Sequence, residues 1–316
     1  MSLSPCSDEE FARIFQTLGA NGAARHLKIS PRAVFDRRLS VEKRLGVSLQ
    51  TPLSPGGKPR NMPEHSQRQN IEIDNGVVLV GSDAHYWPGY ESTSHRAFIA
   101  ACKWFQKDLR AVVLNGDVFD GSSISRHPPM NYADQPSVKE EIEACQERLS
   151  EVEVASGNVT RYWTLGNHDS RYEGKLASSL PEYSKTLPSL KDWFPLWIPC
   201  WSVWINDNVV IKHRFRNGIH AGWNNTLHSG KNIVTGHTHK LGVTAITDYN
   251  GTRFAVETGM LAPAGGPMFD YAEDNPANHR EGFAVLTFIN GRLAWPELVH
   301  VVRDGVVEFR GREHGV

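Results

Sequence analysis

The chain has 316 residues and a formal net charge of −1, enough length to bury one large core with a small appendage. No run of about eighteen apolar residues occurs, which argues against a membrane span. Asp8, Glu9 and Glu10 stand where a signal peptide would carry cations, and Cys6, Cys102, Cys145 and Cys200 form no Cys-x-x-Cys pair, so a cytoplasmic protein without a disulfide frame or zinc knuckle is expected. The charge is uneven. Residues 1–60 carry 10 Lys/Arg against 5 Asp/Glu, leaving 24 against 30 in the remainder, and a basic segment ahead of an acidic body suggests an anionic partner.

In chain order, residues 1–48 read as three short helices. Ser7 can cap the first, which carries Phe11, Ile14, Phe15 and Leu18 on one face and ends at Gly19. The second runs through Ala23, Ala24 and Leu27, and Ser30-Pro31 opens a third through Val34, Leu39 and Val41. The register from Ala24 to Leu39 resembles a helix-turn-helix DNA-binding unit, with Lys28 where the turn usually has Gly. The resemblance implies nucleic acid as partner and places Arg32, Arg37 and Arg38 on or near the recognition helix. A small docking or dimerisation module is the alternative. Residues 49–70, rich in Pro, Gly, Ser and charge, read as a flexible linker before a body spanning 71–316.

The body alternates short apolar runs with polar clusters. Val77–Val80 precedes Asp83-Ala84-His85, and Ala111–Leu114 precedes Gly116-Asp117. Tyr162–Leu165 precedes Gly166-Asn167-His168-Asp169, and Ile233–Val234 precedes Gly236-His237-Thr238-His239. Each run reads as a buried strand, and polar residues at the C-terminal ends of successive strands converge on one crevice in an open α/β sheet. Helices are expected over Ser92–Leu109 and Gln135–Val154. Strands are expected over Leu241–Thr247, Arg253–Glu257, Phe283–Phe288, Leu293–Val302 and Val306–Phe309, building the second sheet and the far edge.

These clusters, with Asp120 after Gly116-Asp117 and a lone His213 after Val209–Ile211, resemble the calcineurin-like metallophosphoesterase superfamily over about Val77 to Gly259. The resemblance implies a two-sheet sandwich flanked by helices, of the α/β (layered α+β) class, holding two divalent metals. It assigns Asp83, His85 and His239 to one metal and Asn167, His213 and His237 to the other, with Asp117 bridging. His220 is the rival of His213, but no strand precedes it. All these donors are O or N, which suits Mn²⁺ foremost, or Fe, Zn²⁺ or Ni²⁺. The resemblance further makes His168 the general acid and Asp120 its orienting partner. Asp169 is expected in the surrounding layer, holding a metal-binding His in the right tautomer.

Two metals would activate water and neutralise phosphoryl charge, so metal-bridged hydroxide attack on a phosphate ester is the expected reaction. Gly121 stands where serine/threonine protein phosphatases of this superfamily carry Arg, which disfavours that branch. Arg126, Arg171 and Arg214 are the candidates for binding phosphate instead. The leading expectation is a phosphodiesterase or nuclease. A phosphomonoesterase or small-nucleotide phosphodiesterase with a docking module is the alternative, and a DNA-binding regulator with a degenerate site the third.

Overall fold

The computed structural model describes residues 6–47, 49, 65–126, 135–183, 186–274 and 277–316. The chain divides into two units, Met1–Arg60 and Asn61–Val316. In the first, α1 (Asp8–Leu27) starts at Ser7, whose side chain accepts from the Glu10 N–H at 3.1 Å, and is broken at Gly19, where φ is 68° and ψ 177°. The expected separation into two helical segments is therefore present. Lys28 takes a left-handed φ of 53° and ends the segment. The turn thus has the backbone that Gly would adopt, at a cost of about 1 kcal/mol for a residue with a Cβ. Ser30 caps α2 (Pro31–Leu45). Phe11, Ile14, Phe15, Ala23, Ala24, Val34, Val41 and Leu49 form the core of this unit.

The second unit runs β1 (Gln69–Ile71), β2 (Gly76–Gly81), α3 (Thr93–Trp104), β3 (Leu109–Leu114), α4 (Val138–Ser156) and β4 (Thr160–Thr164). It continues with α5 (Asp169–Ser179), α6 (Leu190–Trp193), β5 (Ile198–Cys200), β6 (Val203–Ile205) and β7 (Val209–Ile211). Next come α7 (Ala221–Ser229), β8 (Asn232–Thr235), β9 (Leu241–Asp248) and β10 (Gly251–Thr258). The chain ends with β11 (Gly282–Ile289), β12 (Arg292–Leu293), β13 (Glu297–Arg303), β14 (Val306–Phe309) and β15 (Arg312–Gly315). One sheet has the order β15-β14-β13-β11-β2-β3-β4-β5, with β12 on β11. The other has the order β1-β6-β7-β8-β10-β9. In the first sheet β2 to β5 are parallel, and in the second β7, β8 and β10 are parallel.

Strand β2 explains the architecture. Val77 and Leu79 face one core with Phe98 and Cys102 of α3 and Leu149 of α4. Val78 and Val80 face the other, with Val203, Ile211 and Val234 of the second sheet. A strand buried on both faces carries a continuous apolar run instead of an alternating one. Ser92 caps α3, and a Ser137–Glu140 capping box starts α4, so these helices begin close to the expected positions and lie outside the first sheet.

Several boundaries differ from expectation. His65 Nε2 lies 2.6 Å from Glu173, Ser66 pairs with Cys200, and β1 pairs with β6. The body therefore begins by residue 65, and the expected linker shrinks at both ends because Leu49 packs in the helical core. Residues 50–64 lie outside the described residues. Helix α3 stops at Trp104 because Leu109 opens β3. The run Leu293–Val302 is split around Pro296, which lacks a ladder N–H. Strands β9 and β10 do enter the second sheet, but β11 to β15 extend the first.

Candidate metal centre

Loops leaving the ends of β2, β3 and β4 meet loops leaving β7 and β8 where the two sheets face each other. Potential ligand atoms of Asp83, His85 and His239 lie within 4.8 Å of one another, as do those of Asp117, His213 and His237. A third such group, His85, Asp117 and His168, connects them. His213 Nε2 is 3.0 Å from Asp117 Oδ2, whereas His220 is exposed just ahead of α7. The strand before His213 was thus the informative feature.

The loops are tied together by backbone bonds. Asp83 N–H donates to Gly116 O and His85 N–H to Asp117 O, both at 2.9 Å. Asp117 Oδ1 accepts the His168 N–H at 2.8 Å, and Asp83 Oδ2 accepts the His237 N–H at 2.9 Å. The curvature needed is severe: Asp83, His85, Asp117, His237 and His239 have φ of 50°, 41°, 49°, 67° and 55°. Such left-handed residues carry strain and persist where the surroundings over-determine them. Space is just as tight, since a Cβ on Gly166 would collide with the Asp117 carboxylate and one on Gly116 with the His213 ring.

Two hydrogen bonds set ring orientation. His85 Nδ1 faces Asp120 Oδ1 at 2.7 Å, and His213 Nδ1 faces Asn115 O at 2.8 Å. Each leaves Nε2 turned inward. His85 Nε2 and Asn167 Oδ1 are buried without a hydrogen-bond partner, and His213 Nε2 meets only the Asp117 carboxylate. Buried polar atoms are nearly always satisfied, so two orphaned atoms among carboxylates and imidazoles fit a site built for divalent cations. Asp169 does something other than expected. Its carboxylate accepts from the backbone N–H groups of Asp117, Val118, Phe119 and Gly166 at 2.7–3.1 Å. It clamps the Asp117 loop and orients no histidine.

Charge is concentrated here. Burial opposes ionisation of Asp83, yet His239 and His213 hold its carboxyl below the usual range. Burial likewise opposes ionisation of Asp117, and His213 and His168 outweigh it. Asp120 is also held low against burial, by His168 and His85. Burial pushes His213 down but Asp117 and Asp83 pull it up. His237 falls through burial and the neighbouring His213 charge.

His168 sits beside this set and is part-buried. Its Nδ1 lies 3.0 Å from Asp120 Oδ1 and 2.9 Å from Asp120 O, while Arg171 Nη2 is 3.0 Å from its Nε2. Asp120 therefore serves His85 and His168 together. Burial lowers the His168 pKa, but Asp120 and Asp117 more than reverse this. Arg171 also donates to Asp120 O at 3.0 Å. Arg214 is exposed, and its charge contributes to lowering His237. Arg126 is exposed at the edge of the described residues. Arg37 donates to the carbonyls of Cys6 and Ser7 and lies over Phe11, and Arg38 pairs with Glu42 at 3.3 Å. Both brace the helical unit, and Arg32 is exposed.

Sequence reading missed His279, whose ring centroid is 4.4 Å from that of His239, and Phe269, 5.2 Å from His239. Both come from the connection between β10 and β11, where no periodicity marks them.

A family model described as calcineurin-like phosphoesterase matches residues 76–241. The chain is 29% identical to the Gene 54 protein of Mycobacterium phage L5 over 212 residues, covering 60% of this chain and 81% of that protein. Among solved structures, it is similar to an archaeal phosphodiesterase, with a TM-score of 0.34 and 15% identity over 71% of this chain and 99% of that one. It is also similar to the purple acid phosphatase PPD1 of yellow lupin (Lupinus luteus) seeds. There the TM-score is 0.38, with 12% identity over 80% of this chain and 54% of the other.

Proposed function

Because the chain belongs to the calcineurin-like phosphoesterase family, and is therefore a metal-dependent hydrolase, we propose that it is a phosphodiesterase acting on DNA or another nucleic acid, with Mn²⁺ as its metal. The observation that carries the phosphoesterase chemistry is the pair of largely buried ligand groups joined by Asp117, with an unpartnered Nε2 on His85 and an unpartnered Oδ1 on Asn167. Asp83, His85 and His239 would hold one cation, and Asn167, His213 and His237 the other. When bound, such a pair supplies Lewis acidity toward a phosphoryl group and a water of lowered pKa.

The remaining steps belong to the protein's own groups. His168 stands next to Asn167 without belonging to either triad, so once a phosphate oxygen takes up the Arg171 guanidinium now at its Nε2, a protonated imidazole can protonate the departing oxygen. Asp120 keeps Nδ1 engaged and leaves Nε2 facing the ligand set, 4.0 Å from Asp117 Oδ2. The guanidinium of Arg171, beside that Nε2, is placed to hold a phosphate oxygen. The helical unit supports a nucleic-acid substrate through its turn geometry and basic composition, and Arg32 is one of its outward cations, with Arg25 and Lys28. Among the described residues no helix is long and apolar enough to cross a membrane, in keeping with a cytoplasmic enzyme.

A second reading, a docking helical unit on a small-phosphoester hydrolase, is favoured by Phe35 and Leu39. They are 49% and 61% exposed on α2, while Arg37 and Arg38 are engaged internally. One panel separates the two: turnover with Mn²⁺ on a phosphodiester chromophore, a phosphomonoester chromophore, and labelled single- and double-stranded DNA, using the full chain and a chain beginning at Asn61. Nucleic-acid cleavage that weakens at low salt on truncation supports the first reading. Activity confined to small esters and unchanged by truncation supports the second.

A further inference from the structure

Residues 208–247 contain five Lys/Arg and no Asp or Glu, in a chain with 35 acidic residues. This acid-free stretch spans β7, the loop bearing His213, α7, β8, the loop bearing His237 and His239, and nearly all of β9. One wall of the metal centre is therefore built from chain that carries positive charge alone. Lys231 is paired outside the stretch, with Asp207 at 3.7 Å, and Lys240 Nζ holds the loop through Gly218 O and Ile219 O at 3.0 and 3.3 Å. Among the described residues, Lys212, Arg214 and Arg216 have no carboxylate partner within ion-pair distance. Glu257, which reaches this wall from β10, is engaged by Thr238 Oγ1 at 2.8 Å.

Two of these cations flank an aromatic ring. Lys212 Nζ and the Arg216 guanidinium lie 5.3 and 5.8 Å from the centroid of Phe215. The Arg216 N–H donates to Asn225 Oδ1 at 2.8 Å, fastening this loop to α7, the helix that carries Trp223. Phe215 is 39% and Trp223 51% exposed. Crowded, uncompensated cations repel one another until a polyanion neutralises them, and exposed rings among cations form the platform on which unpaired bases stack.

We propose that this rim binds a single-stranded segment of a polynucleotide. Its phosphates face Lys212, Arg214 and Arg216, its bases stack on Phe215 and Trp223, and the strand is delivered past His213 to the metal centre. The inference rests on the nucleic-acid reading above and assigns substrate contact to the catalytic body itself, whatever the helical unit does.

The test uses the full chain, fluorescence anisotropy, and a labelled oligothymidylate 20-mer with Ca²⁺ supplied as the divalent ion to slow cleavage. Phe215→Ala and Trp223→Ala should each weaken binding roughly 5- to 150-fold, the range for loss of one stacked base. Arg216→Ala should reduce the slope of log Kd against log salt by about 0.7. Lys139→Ala, at an exposed position of α4, should change neither. Affinities and slopes within error of wild type in all three rim variants overturn the inference, while leaving nucleic-acid cleavage by the wild type intact. Competition by polyglutamate as effective, charge for charge, as unlabelled oligonucleotide also overturns it, in favour of an acidic protein partner. A wild type that hydrolyses small esters yet neither binds nor cuts any polynucleotide fails the underlying reading instead.

Discussion

Asp120 Oδ1 lies 2.7 Å from Nδ1 of His85, and the same oxygen is 3.0 Å from Nδ1 of His168. One carboxylate thus orients both a candidate metal ligand and the candidate acid. Asp120→Asn keeps the shape and removes the charge. It should weaken metal binding about 10- to 100-fold, as loss of a ligand's supporting partner does, and lower turnover at saturating metal as well. Calorimetric metal titration and steady-state kinetics on the same variant check this. Reduced turnover with unchanged metal affinity would restrict Asp120 to His168.

His168→Ala should retain its metal content and lose roughly 10²–10⁴-fold in turnover on esters with poor leaving groups. The loss should shrink as the leaving group's pKa falls, because a good leaving group needs no proton. Rates across a series of substituted phenyl esters measure it, and a uniform loss would assign His168 to phosphate positioning.

Asp169→Ala removes the acceptor of four backbone N–H groups in a buried loop. Hydrogen bonds to a charged group contribute about 1.5–3 kcal/mol, and orphaned donors add to the loss. Urea unfolding should show a drop of at least about 3 kcal/mol. Because the loop carries Asp117, metal binding should weaken too. A stable variant with normal metal content would show that the clamp is dispensable.

Glu141 is fully buried, and burial raises its carboxyl to about 7 although Gly121 and Ser122 donate to it. A carboxyl with folded pKa above its unfolded value of 4.5 favours folding most when protonated. Its contribution is fully present below pH 4.5 and is lost as pH rises to about 7. The linkage amounts to at most on the order of 3 kcal/mol. Glu141→Gln should flatten this part of the profile, so that wild type loses more stability than the variant between pH 4.5 and 7. Chemical denaturation across that range tests it, and parallel profiles would show that the three donated hydrogen bonds keep Glu141 ionised.

Much of the site was legible because its residue types follow recognisable strands. Asp83, Asp117, Asn167 and His237 each come two or three residues after an apolar run, and His213 was separable from His220 on the same ground. What escaped notice lacked a local pattern. His279 reaches His239 from a long connection, and β1, β5, β6 and β15 are too short to display a period. Alternation identifies β11, β13 and β14 as strands but says nothing about which sheet they join. The role of Asp169 depended largely on backbone donors 50 to 52 residues away. The acid-free rim was hidden by counting charge over whole segments, since acids elsewhere in the body cancel it.

Five candidate ligands sit in left-handed backbone, and this sets a direction for sequence drift. Strain of this kind persists where the surrounding structure over-determines it and clusters at functional sites. Replacing His237 or His239 by Gly relaxes the backbone at the same step that removes a donor. Under selection for heat resistance alone, the hydrolytic centre would therefore be among the first parts to erode, and inactive descendants would outlast their active parent on heating.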